Sequence, residues 1–315
     1  MMADIKKIAT RESYGNALAS LAAEKEDFIV LDADLAAATK TGTFKKSFPE
    51  RFYDCGIAEQ NMVSIAAGVA ATGKKVFCSS FAMFAAGRAF EQVRNSIAYP
   101  HLPVIIAATH AGITVGEDGA THQCNEDIAL MNVVPGMTVI SPADDTEAKK
   151  AVYAAYEHDG PVYIRFGRLA TPVIFDEDYK FEIGKGIKLT DGNDVAIIAT
   201  GIMVNEALVA AEALKEEGIN ARVINIATIK PIDKEIVIAA AKETGAVVTA
   251  EEHSVIGGLG SVVSDVLAEE CPVPVIKVGV QDTFGVSGPA GDLMVKYGLK
   301  SNNIVDACKK AIAKK

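Results

Sequence analysis

Residues 109–123, THAGITVGEDGATHQ, place two imidazoles, two carboxylates and three glycines in one short stretch. His110 and His122 flank Glu117 and Asp118. Imidazoles titrate near neutral pH and carboxylates accept hydroxyl protons, so this set can bind a polyhydroxylated substrate and exchange protons with it. The glycines let the backbone approach a ligand closely. Three of the five histidines fall between His101 and His122. The apolar run just before, PVIIAA, reads as a buried strand, and the Gly-rich stretch as the loop at its end. In open α/β sheets, ligands sit outside the carboxyl ends of strands. A second stretch, YDCGIAEQNM at 53–62, puts Glu59 at the start of an Ala-rich helix, where a carboxylate complements the dipole. A third, SSFAMFAAGRAFEQVRN, spaces Phe81 and Phe84 to share one face of a helix start.

The elements that must hold these residues follow from pattern and composition. The chain has 315 residues, half of them apolar, and no tryptophan. That length suits roughly two domains with ample core. The most apolar runs, such as 65–71 and 104–108, fall far short of the ~20 residues a membrane span needs. The opening MMADIKKIATRES lacks the apolar region of a secretory signal. Five cysteines, odd in number and never spaced as CxxC, argue against a disulfide framework or a zinc site and fit a reducing, cytoplasmic setting. A net charge of −10 and no basic patch with interleaved aromatics argue against nucleic acid.

Residues 10–23 read as a helix capped by Thr10, FIVLDADL as a strand ending in carboxylates, 36–50 as a loop, and 52–56 as a short strand. Residues 58–71 read as a small-residue helix, 76–81 as a strand and 83–98 as a helix. After the His-bearing loop come a helix near 127–132, a strand at 137–141, a capped helix in SPADDTEAKKAVYAAYE, and the strand GPVYIRFGR. Residues 171–191 read as a linker with a small hairpin. The strands VAIIAT, ARVINIAT, AVVTAEE and PVIKVGV then alternate with helices. Apolar strands alternating with helices predict parallel sheets covered on both faces. The fold class is therefore α/β, with two parallel-sheet-containing domains: 1–172, a linker at 173–190, and 191–315. IGGLGS at 256–261 reads either as helix capping and close packing or as a phosphate nest for a nucleotide. His253 reads as a structural or interface residue.

GEDGATHQ resembles the GEDGPTHQ segment of the transketolase family, with Ala120 in the place of the proline. DCGIAEQ resembles the segment bearing the cofactor-activating glutamate of transketolase and of 1-deoxyxylulose-5-phosphate synthase, both thiamine diphosphate enzymes. The resemblance implies that Glu59 hydrogen-bonds the pyrimidine ring and activates the cofactor. It implies that Phe81 and Phe84 line the pyrimidine pocket, with Gly87 standing where a third aromatic is usual. Asp34 in DADL matches an aspartate close to the cofactor, and the family's nearby serine falls at Ala38 or Thr39. Arg11 in ATR and Arg165 in YIRFGR match phosphate-binding arginines. His110 and His122 would bind donor hydroxyls or the ketose oxygen and shuttle protons, and Asp118 would read a hydroxyl on the sugar's second carbon.

The resemblance covers only the later part of a full transketolase, namely the pyrimidine-binding and C-terminal domains. The family's diphosphate half uses a GDG followed later by an asparagine, holding a divalent metal. GEDG at 116, DGN at 191 and GDL at 291 do not supply that pattern, so no metal ligand is expected on this chain. The implied enzyme is a split transketolase in which a separate N-terminal subunit carries the diphosphate and Mg2+ ligands. It would move a two-carbon ketol unit between sugar phosphates, with self-association and a heterotetramer by family analogy. The competing readings are a subunit of deoxyxylulose-phosphate synthase or of a 2-oxo acid dehydrogenase, and a non-catalytic partner subunit.

Overall fold

Strands with no polar face can lie only where both sides of a sheet are covered. The computed structural model, which describes residues 6–315, places them so in two mainly parallel sheets, beside one two-stranded antiparallel sheet. In the first half, β1 (Lys7–Ala9) leads into α1 (Thr10–Glu24) and β2 (Phe28–Asp32). Two short helices, α2 (Ala36–Thr39) and α3 (Thr41–Ser47), precede β3 (Phe52–Asp54). Then come α4 (Glu59–Ala70), β4 (Lys75–Ser79), an irregular helix containing α5 (Phe90–Gln92), and β5 (Val104–Ala108). The half closes with α6 (Asp127–Asn132), β6 (Thr138–Ile140), α7 (Asp145–Glu157), β7 (Val162–Arg165) and β8 (Ala170–Pro172).

The second half holds β9 (Ile187–Thr190), β10 (Val195–Ala199), α8 (Met203–Glu216), β11 (Ala221–Asn225) and β12 (Thr228–Lys230). It continues with α9 (Lys234–Thr244), β13 (Val247–Ser254), α10 (Leu259–Glu270), β14 (Val275–Val280), α11 (Ala290–Lys296) and α12 (Ser301–Ile312).

The first sheet has the order β12-β6-β7-β5-β4-β2-β3 and the second β14-β13-β10-β11-β9. In the first, β2 pairs with β3 on one side and β4 on the other, all parallel. The chain thus winds outward from β2 in both directions and leaves a crevice at the carboxyl ends of β2 and β4, where a doubly wound sheet takes its ligand. One face of that sheet packs Tyr14, Leu18, Phe28, Phe44, Phe77 and Phe166. The other face packs Met62, Val63, Ile97 and Ile106 in a cluster that continues through Ile224, Ile229 and Leu259 of the second half. No helix among the described residues is long and apolar enough to cross a membrane.

Several elements differ from expectation. ARVINIAT is not one strand: β11 stays in the second sheet, while β12 crosses to pair antiparallel with β6. Alternation alone cannot say which sheet claims a residue. The expected hairpin in the linker does not form, because β8 pairs with β1 and β9 with β11. Residues 36–47 are helical rather than loop, fixed by Thr39 and Thr41 hydroxyls that donate to the buried Asp32 carboxylate at 2.7 and 2.8 Å. Thr10 does not cap α1; its hydroxyl accepts from the Gly167 amide at 2.8 Å. Residues 83–98 are two π-helical stretches, 83–88 and 93–98, flanking α5. The capped helix α7 forms as read, with Asp144 accepting from the Glu147 amide.

Ile229 on β12 is fully buried in the cluster shared by both halves. Ile229→Ala should destabilise the chain by about 2–5 kcal/mol. Chemical denaturation checks this; a change under ~0.5 kcal/mol would mean that the crossing strand does not hold the halves together.

Candidate active site

Glu59 is the first residue of α4, where the helix dipole favours a negative charge. Its side chain is 1% exposed. Ser80 Oγ donates to Oε1 at 3.1 Å and Arg88 Nη1 to Oε2 at 2.7 Å. The preceding turn is fixed by Asp54, whose Oδ1 accepts from the amides of Asp34 and Gly56. Ser80 lies one residue past β4, and backbone bonds carry the pairing of β4 and β5 beyond their regular ends. The Thr109 amide donates to Ser80 O at 3.1 Å, and the Ala82 amide to Thr109 O at 2.7 Å. Those two bonds set Phe81 beside Thr109 and therefore beside His110.

The aromatic and imidazole rings meet there. His110 stacks on Phe81 with centroids 3.8 Å apart, and Phe81 and Phe84 lie nearly parallel at 6.0 Å. His122, half-buried, sets its edge against Phe84 at 5.3 Å. Arg11 Nη1 lies 3.1 Å from His110 Nε2 and can only donate, so Nε2 is the acceptor and Nδ1 carries the proton toward Thr109 Oγ1 at 2.9 Å. Burial, then the charges of Arg11 and Arg168, push the His110 value down to about 3, so the ring is neutral at physiological pH. At Gly87 a Cβ would stand 2.2 Å from Met83 Cε. The flexible Met83 side chain fills the room where a third aromatic was expected.

Cations rim this cluster. Arg11 also donates to Ala38 O at 3.1 Å, and its buried Nε has no partner among the described residues. Arg168 Nη1 pairs with Glu117 at 3.1 Å and donates to Val115 O, leaving the side chain about one-third exposed. Asp118 is exposed on the same loop, and Asp34 is exposed at the mouth of β2 with φ of +63°. Asp32, at the end of β2, is fully buried. Burial raises its value to about 6 against the pull of the two threonine hydroxyls.

The structure brings together Glu59, Phe81, Phe84, His110, His122 and Arg11. It does not bring Arg165 to them. Expected as a phosphate ligand, Arg165 is instead buried beneath the second sheet. Its Nε donates to Asp127 at 2.8 Å and its Nη2 to the carbonyl of Glu252 at 2.8 Å and that of Cys124 at 3.3 Å. The arginine that faces the loop is Arg168, three residues on, past the end of β7. YIRFGR offers both arginines, and only the strand's register decides which is buried. Arg88, Ser80 and Asp32 were also missed, since each acts through contacts remote in sequence.

The loop is held from the second half. Glu252 Oε1 accepts from the Thr114 amide at 2.6 Å, and a Cβ on Gly112 would meet its carboxyl at 2.4 Å. Gln123 Nε2 donates to Val286 O at 2.9 Å, and Ser287 Oγ to Glu117 O. The IGGLGS turn carries no open nest. Glu251 fills it, accepting from the amides of Leu259 and Gly260 at 2.7 and 2.8 Å. His253 is fully buried, with Nδ1 toward Ser254 O at 2.7 Å and Nε2 accepting from the Ala129 amide at 3.4 Å. Among the described residues, no group of three or more His, Cys, Asp or Glu could hold a metal ion.

Comparison with known proteins agrees with this architecture. Residues 6–173 match the transketolase pyrimidine-binding domain and residues 184–304 the transketolase C-terminal domain. A protein of Methanocaldococcus jannaschii described as a transketolase C-terminal section is 52% identical, covering 93% of each chain. A 6-deoxy-6-sulfo-D-fructose transketolase subunit of Clostridium sp. is 45% identical, covering 97% of this chain and 95% of that one. A solved split-gene transketolase, described as an inactive β4 tetramer, has a TM-score of 0.91 at 54% identity and covers 98% of this chain and 100% of that one. By both domain matches and by relatives this similar along nearly their whole length, the chain belongs to the transketolase family.

Proposed function

We infer that this chain is the C-terminal subunit of a split, thiamine diphosphate-dependent transketolase that moves a two-carbon ketol unit between sugar phosphates. The observation that carries the reading is Glu59: a buried carboxylate at a helix start, beside an aromatic wall, with two histidines and a cationic rim within the same cluster. The residues fit an aminopyrimidine. Glu59 can accept from a ring N–H, and Phe84 and Met83 offer flat and adaptable apolar walls. Bound thiamine diphosphate would supply the carbon that carries the ketol unit between sugars. A separate N-terminal subunit would hold the diphosphate and Mg2+, and the similar span of the split-gene structure supports that division.

The remaining work falls to this chain's side chains. Arg11, whose Nε is unpartnered among the described residues, and Arg168 suit the substrate's phosphate, because a planar fork matches its oxygens. Neutral His110 adds no charge; Thr109 holds its Nδ1, and its Nε2, which accepts from Arg11, would orient a substrate hydroxyl once Arg11 turns to the phosphate. His122, half-buried beside Phe84, would exchange protons with the sugar. Asp118 is free on the loop to read a hydroxyl, and Asp34 sits beside the turn that carries Glu59. The pairing of both histidines with an acidic loop favours sugar phosphates over 2-oxo acids.

Purified alone, the chain should show no ketol transfer with thiamine diphosphate and Mg2+. With its partner it should transfer from xylulose phosphate to ribose phosphate, and Glu59→Gln should lower kcat by about 100-fold or more. Turnover without a partner, transfer only from pyruvate, or unchanged kcat in E59Q would each refute the reading.

Arg168→Ala should raise KM for phosphorylated sugars by about tenfold or more, as loss of a charged hydrogen bond implies. Arg165→Ala should instead lower thermal stability, by about 3–5 kcal/mol for a broken buried pair. Steady-state kinetics and melting curves separate the two.

His110 has a value of about 3 when folded, against 6.5 ordinarily. The unfolded chain therefore binds more protons between those limits, so folded stability falls as pH drops from 6.5 toward 3 and is unaffected above. His110→Asn should flatten that acid loss of stability, measured by denaturation at stepped pH; an unchanged slope would place the ring in water.

A further inference from the structure

One side chain engages both Glu59 and the Phe84 ring. Arg88 Nη1 donates to Glu59 Oε2 at 2.7 Å, and Arg88 Cζ lies 4.5 Å from the centroid of the Phe84 ring. The guanidinium is flat, delocalised and donates N–H bonds from its edge, features it shares with a ring-protonated aminopyrimidine. Glu59 is 1% exposed, whereas the Arg88 side chain is 46% exposed. A carboxylate so buried needs a counter-charge, and the other donor, Ser80, is a neutral hydroxyl. Among the described residues, Arg88 is the cation paired with Glu59.

Arg88 is also placed to leave. It ends the π-helical stretch 83–88, an irregularity common at functional sites. Its neighbours Ala85, Ala86 and Ala89 carry the packing of that helix and are buried, so the arginine can swing outward without opening the core.

Resting on the reading of Glu59 as the group that meets the cofactor's pyrimidine, we propose that Arg88 is an internal stand-in for that ring. It supplies the hydrogen bond to Glu59 and covers Phe84 until the pyrimidine arrives, then releases both. The exchange keeps the buried carboxylate partnered in each state. It also makes cofactor binding compete with an internal ion pair, which lowers apparent affinity by the fraction of chains in which Arg88 is closed. Arg88 is thus a positioning residue that holds Glu59 ready.

Two measurements test this. In the full chain without cofactor, R88M should lower the melting midpoint by about 2–4 °C or more, and R88M should have no such effect in an E59Q background. In the complex with its partner chain, calorimetric titration with thiamine diphosphate and Mg2+ should show R88M binding tighter, on the order of 3–10-fold, with R88K between the two. Unchanged or weaker binding in R88M overturns the proposal, because Arg88 would then be a bystander or a cofactor ligand. An equal melting loss in the E59Q background also overturns it, since Arg88 would then act on another group. Intact binding and turnover in E59Q would instead remove the reading of Glu59 on which the proposal rests.

Discussion

A buried guanidinium at the seam between the two halves is the contact on which the rest depends. Arg165 leaves β7, pairs with Asp127 at the start of α6, and donates to the carbonyl of Glu252 on β13. Burial alone would lower its value; the nearby Asp127 and Glu252 more than offset that and leave it above the ordinary range. A buried ion pair is not in itself strongly stabilising, yet removing either partner strands the other charge. The geometry that satisfies Arg165 therefore exists only when both sheets are in place. Tyr163 donates to the same Asp127 oxygen at 2.8 Å, so the seam is a network rather than a single pair.

From that seam the site loop receives its shape. Glu252, whose carbonyl serves Arg165, uses its carboxylate to hold the Thr114 amide. One residue of the second half thus ties the sheet junction to the loop bearing His110, Glu117, Asp118 and His122. Gly112 is required where the two approach, because any side chain there would strike the carboxyl. The far side of the loop is held by Gln123 against Val286 and by Ser287 against Glu117. The second domain is therefore a structural part of the site, although Glu59 and the rings that would meet a ligand lie on the first.

Backbone strain concentrates at the same place. Asp34, Lys40 and His110 are non-glycine residues at positive φ, and all three stand around the carboxyl ends of β2 and β5. Such conformations persist only where surrounding contacts over-determine them. Here Asp54 grips the Asp34 amide, Glu12 pairs with Lys40 at 2.8 Å, and Phe81 and Arg11 clamp the His110 ring. These contacts, all made within the chain, fix the backbone around the carboxyl ends of the two strands.

Local residue pattern was enough for the fold class, the order of most strands, and the residues of the site that sit in contiguous stretches. Apolar runs without a polar face mean buried parallel strands, and THAGITVGEDGATHQ and DCGIAEQ carry His110, His122 and Glu59 on their own. What it could not decide is which of two equivalent neighbours a contact selects. Arg165 and Arg168 lie three residues apart, and the register of β7 against β5 buries one and leaves the other facing the loop. ARVINIAT reads as one strand until a sheet on the other half claims Thr228–Lys230. No local pattern singles out Arg88, which the fold sets against Glu59, 29 positions away. Local pattern encodes which residues avoid water; pairing across the chain is set by geometry that exists only once both sheets have packed.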